Sequence, residues 1–179
     1  MNRPPSIRVD TGFEVDQNGA LTEIVFPNVV ANLNVPTSVT SYASAVNWLP
    51  NTGATLTTLN LPNATSISMR LTSAGIANLS LPKLITLITA QFYGNTHLIN
   101  VSLPELAAIT TDEAFRLCTS LQNVVLGSAG HPVTGIAGGY TFGGCTQGGL
   151  TITIYTKNGA SLSGSPWGAT NATIEYEEA

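Results

Sequence analysis

Charged side chains are scarce in this 179-residue chain, at 9% of residues where about 25% is typical of globular proteins. Six Lys and Arg stand against ten Asp and Glu, so the net charge is −4 and no basic surface for nucleic acid is expected. Apolar residues make up 43% of the chain, which argues against intrinsic disorder. Thr, Asn and Ser, with 24, 15 and 14 copies, replace the missing charge. The composition indicates a folded domain with an uncharged polar surface.

Long apolar runs and catalytic motifs are also missing. No apolar stretch approaches the ~18 residues of a membrane span, and segment 1–5 has no apolar core of a secretory signal. The only cysteines, Cys118 and Cys145, lie 27 residues apart, which excludes a disulfide framework and a CxxC zinc knuckle. GxGxxG, P-loop, HExxH and GxSxG motifs are absent. We therefore expect no enzyme, no cofactor and no membrane insertion.

A repeat dominates what remains. Its unit is an apolar residue, two others, an apolar residue, one other and an apolar residue, usually followed by proline, as in LINVSLP at 98–104. Further copies begin at Leu21, Val30, Leu56, Ile76 and Leu121. From Val35 to Leu126 the last apolar positions recur every 20 to 26 residues, and a weaker copy, Ile152-x-Ile154, follows. This period is typical of a leucine-rich-repeat coil.

The spacing predicts a leucine-rich-repeat solenoid. Apolar residues at i and i+2 share one face of a strand, and stacked coils bury that face against each other. We expect a right-handed β-rich fold with a short parallel sheet on its concave side. Loops and single helical or 3₁₀ turns, one of them at 111–115, are expected on the convex side. The single domain 1–179 divides into an N-terminal cap at 1–35, repeat coils at 36–149, and a C-terminal strand and cap at 150–179.

The caps are predicted from chain length and composition. Nine residues cannot complete a coil, so the segments 21–26 and 30–35 are interpreted as a hairpin-like cap rather than two coils. At the other end, we expect a strand at 150–155, a closing strand at 172–176 and an acidic tail that discourages edge pairing. Trp167 is expected to lie over the last coil as a lid.

The second half of each coil repeats as well. Phe92, Phe115 and Phe142 occupy matching positions, which predicts an aromatic column in the core. Cys118 and Cys145 match each other too, and adjacent coils would permit a disulfide between them. Buried free cysteine packs well as a small hydrophobe, and we favour free thiols.

Residues 98–121, LINVSLPELAAITTDEAFRLCTSL, resemble the leucine-rich repeats of bacterial BspA-like surface proteins. The shared unit is L-x-x-[LV]-x-[LI]-P-x-x-[LV]-x-x-I followed by A-F-x-x-C-x-x-L. The match is strong over 98–126, fair over 56–97 and loose at 21–55 and 127–155, and the coil at 62–81 lacks the Phe and Cys positions. The resemblance implies a non-catalytic module for adhesion or recognition at a bacterial cell surface or outside the cell, with a protein or glycan ligand.

The outward positions of the predicted strands form the candidate binding face. They carry short uncharged hydrogen-bonding side chains: Asn32, Asn34, Thr58, Asn60, Asn78, Ser80, Asn100, Ser102 and Asn123. Stacked ladders of this kind can simply bond to each other and keep the sheet soluble, or they can bind a protein or glycan. Low charge gives little long-range steering, so association is expected to depend on avidity.

Other functional interpretations are weaker. His97 lies at a coil corner and His131 in a glycine-rich loop, and both are expected to be solvated. Asp10, Glu14 and Asp16 match no calcium loop, so we expect a solvated loop rather than a metal site. A polysaccharide lyase is disfavoured because no acid–base cluster projects from the strands. The remaining alternative is a structural spacer or tip domain of a larger surface or phage-like assembly, with no ligand of its own.

Overall fold

A computed structural model describes residues 75–88, 90–146 and 148–179 continuously. Before residue 75 it describes short segments only: 6–9, 13–14, 23–25, 32–34, 41–42, 47–48, 58–60, 65–67 and 70–71. The chain forms a β-solenoid of about four turns with parallel sheets, which is the general architecture that the repeat predicts. Within the described ranges the helical content is a single 3₁₀ turn at Lys157–Gly159. No helix in those ranges has the length and apolar character needed to cross a membrane.

The described strands are short, except for the last two. In chain order they are β1 (Ser6–Val9), β2 (Phe13–Glu14), β3 (Glu23–Val25), β4 (Asn32–Asn34), β5 (Ser41–Tyr42), β6 (Asn47–Trp48), β7 (Thr58–Asn60), β8 (Ser66–Ile67), β9 (Arg70–Leu71), β10 (Asn78–Ser80), β11 (Thr86–Leu87), β12 (Asn100–Leu103), β13 (Ala108–Ile109), β14 (Asn123–Leu126), β15 (Gly135–Ile136), β16 (Leu150–Thr156) and β17 (Ala172–Glu178). They contribute to two long parallel sheets and two small ones.

The first long sheet has seven parallel strands in the order β17-β16-β14-β12-β10-β7-β4. Its strands are in register, so that Leu103 lies beside Leu126, which lies beside Ile154. All three side chains are fully buried, because every second residue of a strand faces the core. Ser80 pairs with Ser102, so the next residue along β10's chain, Leu81, continues the row at Leu103, and Leu81 is also fully buried. Leu61 lies outside the described residues.

A second parallel sheet, of order β15-β13-β11-β8-β5, forms another side of the coil. Ile67, Leu87, Ile109 and Ile136 follow one another in register along it. The expectation of only loops and single turns opposite the first sheet was therefore wrong. Each strand here has two residues, and the inward one joins the core, as Leu87 and Ile109 do at 0% and 1% exposure.

The third side of each coil, around residues 90–98, 112–121 and 139–146, consists of turns rather than strands. Backbone bonds join successive turns: Phe92 N–H donates to Ala114 O at 3.0 Å, and Phe115 N–H donates to Thr141 O at 2.9 Å. Where a single helical or 3₁₀ turn was predicted at 111–115, residues 112–117 form turns and no helix. The 3.3 Å bond from Arg116 N–H to Glu113 O closes one of these turns.

The N-terminal strands pair differently from the prediction. β1 pairs with β2 antiparallel and with β3 parallel, in a separate three-stranded sheet. β4 pairs with β7 and so belongs to the seven-stranded sheet. The segments 21–26 and 30–35 therefore do not form a hairpin with each other in the described strands. The sheet of the repeats begins before residue 36, because the apolar Leu33 pairs with Leu59 as in any other coil.

Candidate functional site

Three asparagines on neighbouring strands form an amide ladder along the seven-stranded sheet. Asn78, Asn100 and Asn123 lie in register on β10, β12 and β14. Asn100 Nδ2 donates to Asn78 Oδ1 at 2.7 Å, and Asn123 Nδ2 donates to Asn100 Oδ1 at 2.8 Å. Identical residues in register on parallel strands lie about 4.8 Å apart, which suits side-chain amide bonds. The ladder lies on the solvent side of the sheet. The residue that directly follows each asparagine is buried (Leu79, Val101 and Val124), and successive side chains of a strand point to opposite faces.

The nine predicted site residues all belong to this sheet. A second row beside the ladder places Asn34, Asn60, Ser80 and Ser102 in register on four consecutive strands. Asn32 pairs with Thr58 at the N-terminal edge. For the positions on β4 and β7 the backbone register is what the structure describes. The outward positions of the seven strands are called the strand face below.

The strand face extends onto β16, which the site prediction omitted. Thr151 follows Asn123 in register, and Thr153 follows Val125. The burial of β16 alternates strictly, so Thr151, Thr153 and Tyr155 are half-exposed between fully buried residues. The alternation of apolar and polar residues in LTITIYT was the sequence signal for these positions. The face thereby gains two hydroxyls and one aromatic side chain.

Charge is nearly absent from the strand face. In the described strands its carboxylates are Glu175 and Glu177 of β17, in register with Thr153 and Tyr155. Glu175 Oε2 accepts a bond from Thr153 Oγ1 at 3.3 Å. Just beyond the strands, Lys83 Nζ pairs with Glu105 Oε1 at 2.8 Å across adjacent coils. The hydrogen bond from Lys83 holds the pKa of Glu105 below its ordinary value. The described rows from β10 to β16 are therefore uncharged, and the carboxylates of the face lie on its last strand, β17.

The two cysteines are free, buried thiols and do not form a reactive site. Cys118 Sγ donates to Phe92 O and Cys145 Sγ donates to Phe115 O, each at 3.2 Å. Burial raises the pKa of Cys118 far above its ordinary value, and it raises the pKa of Cys145 to about 11. Because the thiolate is the nucleophile and metal ligand, both side chains stay unreactive at neutral pH.

The remaining candidates do not assemble into a site. His97 and His131 are exposed. Glu14 lies on β2, whereas Asp10 and Asp16 fall outside the described residues. In the part of the chain that the structure describes, no three His, Cys, Asp or Glu side chains are grouped so that they could hold a metal ion. The strand face is therefore the candidate binding surface.

Comparison with known proteins identifies no relative of this chain. No protein-family model matches the sequence. Searches of the curated proteins and of the solved structures return no match.

Proposed function

We propose that this chain is a non-catalytic recognition module of BspA-like leucine-rich-repeat type, which binds a protein or glycan at a bacterial surface through the strand face. The observation that carries the binding role is the amide ladder of Asn78, Asn100 and Asn123, an ordered and uncharged row of hydrogen-bonding groups. The likeness of residues 98–121 to the BspA-like unit supports the family and the setting.

The ladder leaves hydrogen-bonding capacity for a ligand. An asparagine amide has two N–H donors and an oxygen with two lone pairs. Asn100, in the centre, uses one donor and one lone pair within the ladder, and so retains one of each. Neighbouring amides already hold these groups in place, which reduces the conformational entropy lost on binding. Such a row suits a ligand with repeated hydroxyl or amide groups, as in a glycan or an extended peptide.

The character of the face also indicates how it would bind. The rows of amides and hydroxyls carry no charge and steer no charged partner from a distance, so association with them is slow and single contacts are weak. Thr151, Thr153 and Tyr155 lengthen the surface, and several contacts along it would add up. Tyr155 supplies an amphipathic ring of the kind enriched at binding surfaces. Affinity is thus expected to come from many small contacts and from multivalent display.

Catalysis forms no part of the proposal. General acid–base chemistry needs a positioned titratable pair. The described positions of the face carry amides, hydroxyls, Val125 and Tyr155, with the exposed carboxylates of Glu175 and Glu177 on the last strand. The buried thiols are held in the protonated form. These groups can bind and orient a ligand, but they do not supply a nucleophile with its base.

A structural spacer or tip domain is the second candidate, and the same ladder favours it in a different way. Each amide bond joins one coil to the next, so the row fastens the solenoid along its length. A module with this task alone would bind nothing. The two candidates differ in whether the free donors and acceptors of the ladder have a partner.

A binding panel distinguishes them. Wild-type protein and the triple variant Asn78→Asp, Asn100→Asp, Asn123→Asp are tested against arrayed glycans and extracellular-matrix proteins. The control is Thr86→Asp, Thr110→Asp, Thr134→Asp, which adds the same charge on and beside the second sheet. We expect the Asn variant to weaken binding about tenfold or more, because carboxylates remove the donors and repel each other, and the control to bind like wild type.

A second variant separates loss of binding from loss of fold. Asn78→Thr, Asn100→Thr, Asn123→Thr keeps the strands neutral and favours β-structure. It should melt close to wild type by circular dichroism and still lose binding. Absence of any ligand for wild type across the whole panel would favour the spacer. Equal losses in the Asn and the control variants would place binding away from the strand face.

A further inference from the structure

The last strand leaves one edge of the seven-stranded sheet open. β17 pairs with β16 over all seven residues and ends the strand order. Ala179 N–H donates to Thr156 O at 3.0 Å, which places the odd-numbered peptide groups of β17 toward β16. Backbone groups alternate between the two edges of a strand, so those of Ile174 and Tyr176 point away from the sheet. No described residue hydrogen-bonds to them.

The core beneath this strand is only partly covered. Leu150, Ile152 and Ile154 of β16 are fully buried. The equivalent residues of β17, in register with them, are Ala172, Ile174 and Tyr176, and all three are half-buried. Tyr176 and Leu162 pack at the margin of the core. One more strand beside β17 would bury this apolar row as β17 buries that of β16.

The open edge is acidic. Glu175, Glu177 and Glu178 are all exposed, and among the described residues no lysine or arginine forms an ion pair with any of them. Glu175 and Glu177 share the strand face, while Ile174 and Tyr176 face the core. A complementary strand would therefore alternate cationic residues on the side of the strand face with apolar residues on the core side.

We propose that a strand of another protein, with lysine or arginine at alternate positions and apolar residues between them, adds to the free edge of β17. Strand addition takes affinity from main-chain bonds and specificity from alternate side chains. The cations would pair with Glu175 and Glu177, and the apolar residues would cover Ile174 and Tyr176. A second copy of this chain is a poorer occupant, because two β17 strands edge to edge bring six carboxylates together.

The first experiment uses peptides as probes at low salt. A fluorescein-labelled octapeptide of alternating lysine and valine is titrated with the full chain and followed by fluorescence anisotropy. Two matched peptides accompany it: one with glutamate in place of lysine, and one with the lysine sequence but alternate backbone nitrogens methylated. We expect the unmodified lysine peptide to bind at least about tenfold more tightly than either, since it alone has the charge and the main-chain donors.

The second experiment locates the binding. Glu175→Lys with Glu177→Lys should reverse the preference, so that the glutamate peptide binds more tightly than the lysine peptide. Reversal rather than loss also shows that the variant is folded. The matched control, Glu105→Lys with Glu113→Lys, has the same net charge and should keep the wild-type preference. Amide exchange of Ile174 and Tyr176 should slow when the lysine peptide is added.

Three outcomes would overturn the proposal. Equal binding of the methylated peptide would mean that attraction is electrostatic and that no strand is added. Equal effects of the two charge-reversal variants would place the peptide elsewhere on the protein. A wild-type dimer in sedimentation, abolished by the lysine peptide, would show that a second copy occupies the edge. None of these results depends on whether the strand face binds a ligand.

Discussion

The ring of Phe115 lies parallel to the ring of Phe142, with their centroids 5.6 Å apart and an angle of 5° between their planes. Phe92 stacks on the other side of Phe115 at 5.5 Å and 8°, which confirms the predicted aromatic column. Trp167 continues it beyond Phe142, with centroids 6.5 Å apart and a tilt of 59°. All four side chains are at most 1% exposed, and Trp167 Nε1 donates to Ser163 O at 3.0 Å. Phe115 therefore has an aromatic neighbour on each face.

Truncation of Phe115 should destabilise the protein strongly. Phe115→Ala leaves a cavity between two rings, and we expect it to lower the free energy of unfolding by about 3–5 kcal/mol. The control is Ile88→Ala, because Ile88 is 49% exposed, and its loss should stay within about 1 kcal/mol. Urea unfolding followed by circular dichroism measures both. Similar losses for the two variants would contradict a continuous column.

The thiols should be protected in the native protein. Cys118 and Cys145 are buried and bonded to backbone carbonyl groups, so an aromatic disulfide reagent at pH 8 should modify neither until the coil opens. Above the urea midpoint, both should react rapidly. Absorbance of the released thiolate gives the rate and the number of thiols. Rapid modification of a native thiol would contradict the burial.

The free energy of unfolding should fall in alkaline solution, because the fold raises the pKa values of both cysteines. The pKa of Cys145 is raised in the fold from 9.0 to about 11, and that of Cys118 is raised further, both chiefly by burial. The unfolded chain therefore loses these protons first. The stabilisation is complete below pH 9 and is lost progressively as the pH rises from 9 toward 11, by roughly 1–3 kcal/mol for Cys145.

Melting temperatures from pH 8 to 11 test this dependence. Tyrosine and lysine titrate in the same range, so the comparison is with Cys145→Ala measured in parallel. The variant should be less stable at pH 8 because it leaves a small cavity. Its decline between pH 9 and 11 should nevertheless be shallower. Parallel curves for the two proteins would show that Cys145 does not control the alkaline transition.

Gly127 should tolerate no side chain. It stands where most copies of the repeat have proline, but its φ is +76°, which proline cannot adopt. A Cβ there would approach His131 O to 2.7 Å. Gly130, at φ +89° with no atom within 4 Å of its Cβ position, controls for backbone strain alone. Gly127→Ala should therefore cost about 1 kcal/mol or more beyond Gly130→Ala, measured by urea unfolding.

The sequence predicted the first sheet well because the apolar pattern of its strands recurs in every repeat. Leu79, Val101 and Val124 occupy the same place in the unit, and parallel stacking in register follows once equal spacings are assumed. Phe92, Phe115 and Phe142 could be aligned for the same reason. The second sheet could not be recognised, because a two-residue strand such as β13 is too short to show an alternating pattern. Its stability comes from the neighbouring coils rather than from local propensity.

The candidate site was predicted in part. The sequence indicated that Asn78, Asn100 and Asn123 stack, since they precede equivalent apolar residues. It could not indicate which amide donates to which, because that choice depends on side-chain rotation. Thr151 and Thr153 were omitted because the coil before them is long and glycine-rich, which obscured the repeat. β17 was predicted two residues too short, since Glu177 and Glu178 were interpreted as a tail.

The amide ladder has a direction. Asn123 donates to Asn100 and Asn100 donates to Asn78, so every amide points its N–H toward the preceding coil. The bond dipoles therefore add head to tail along the solenoid axis, and each bond polarises the next. Among the side chains that the structure describes, the row ends in an amide donor at Asn78 and in an acceptor oxygen at Asn123. A linear molecule laid along it would meet opposite polarity at its two termini, so one orientation would be preferred over its reverse.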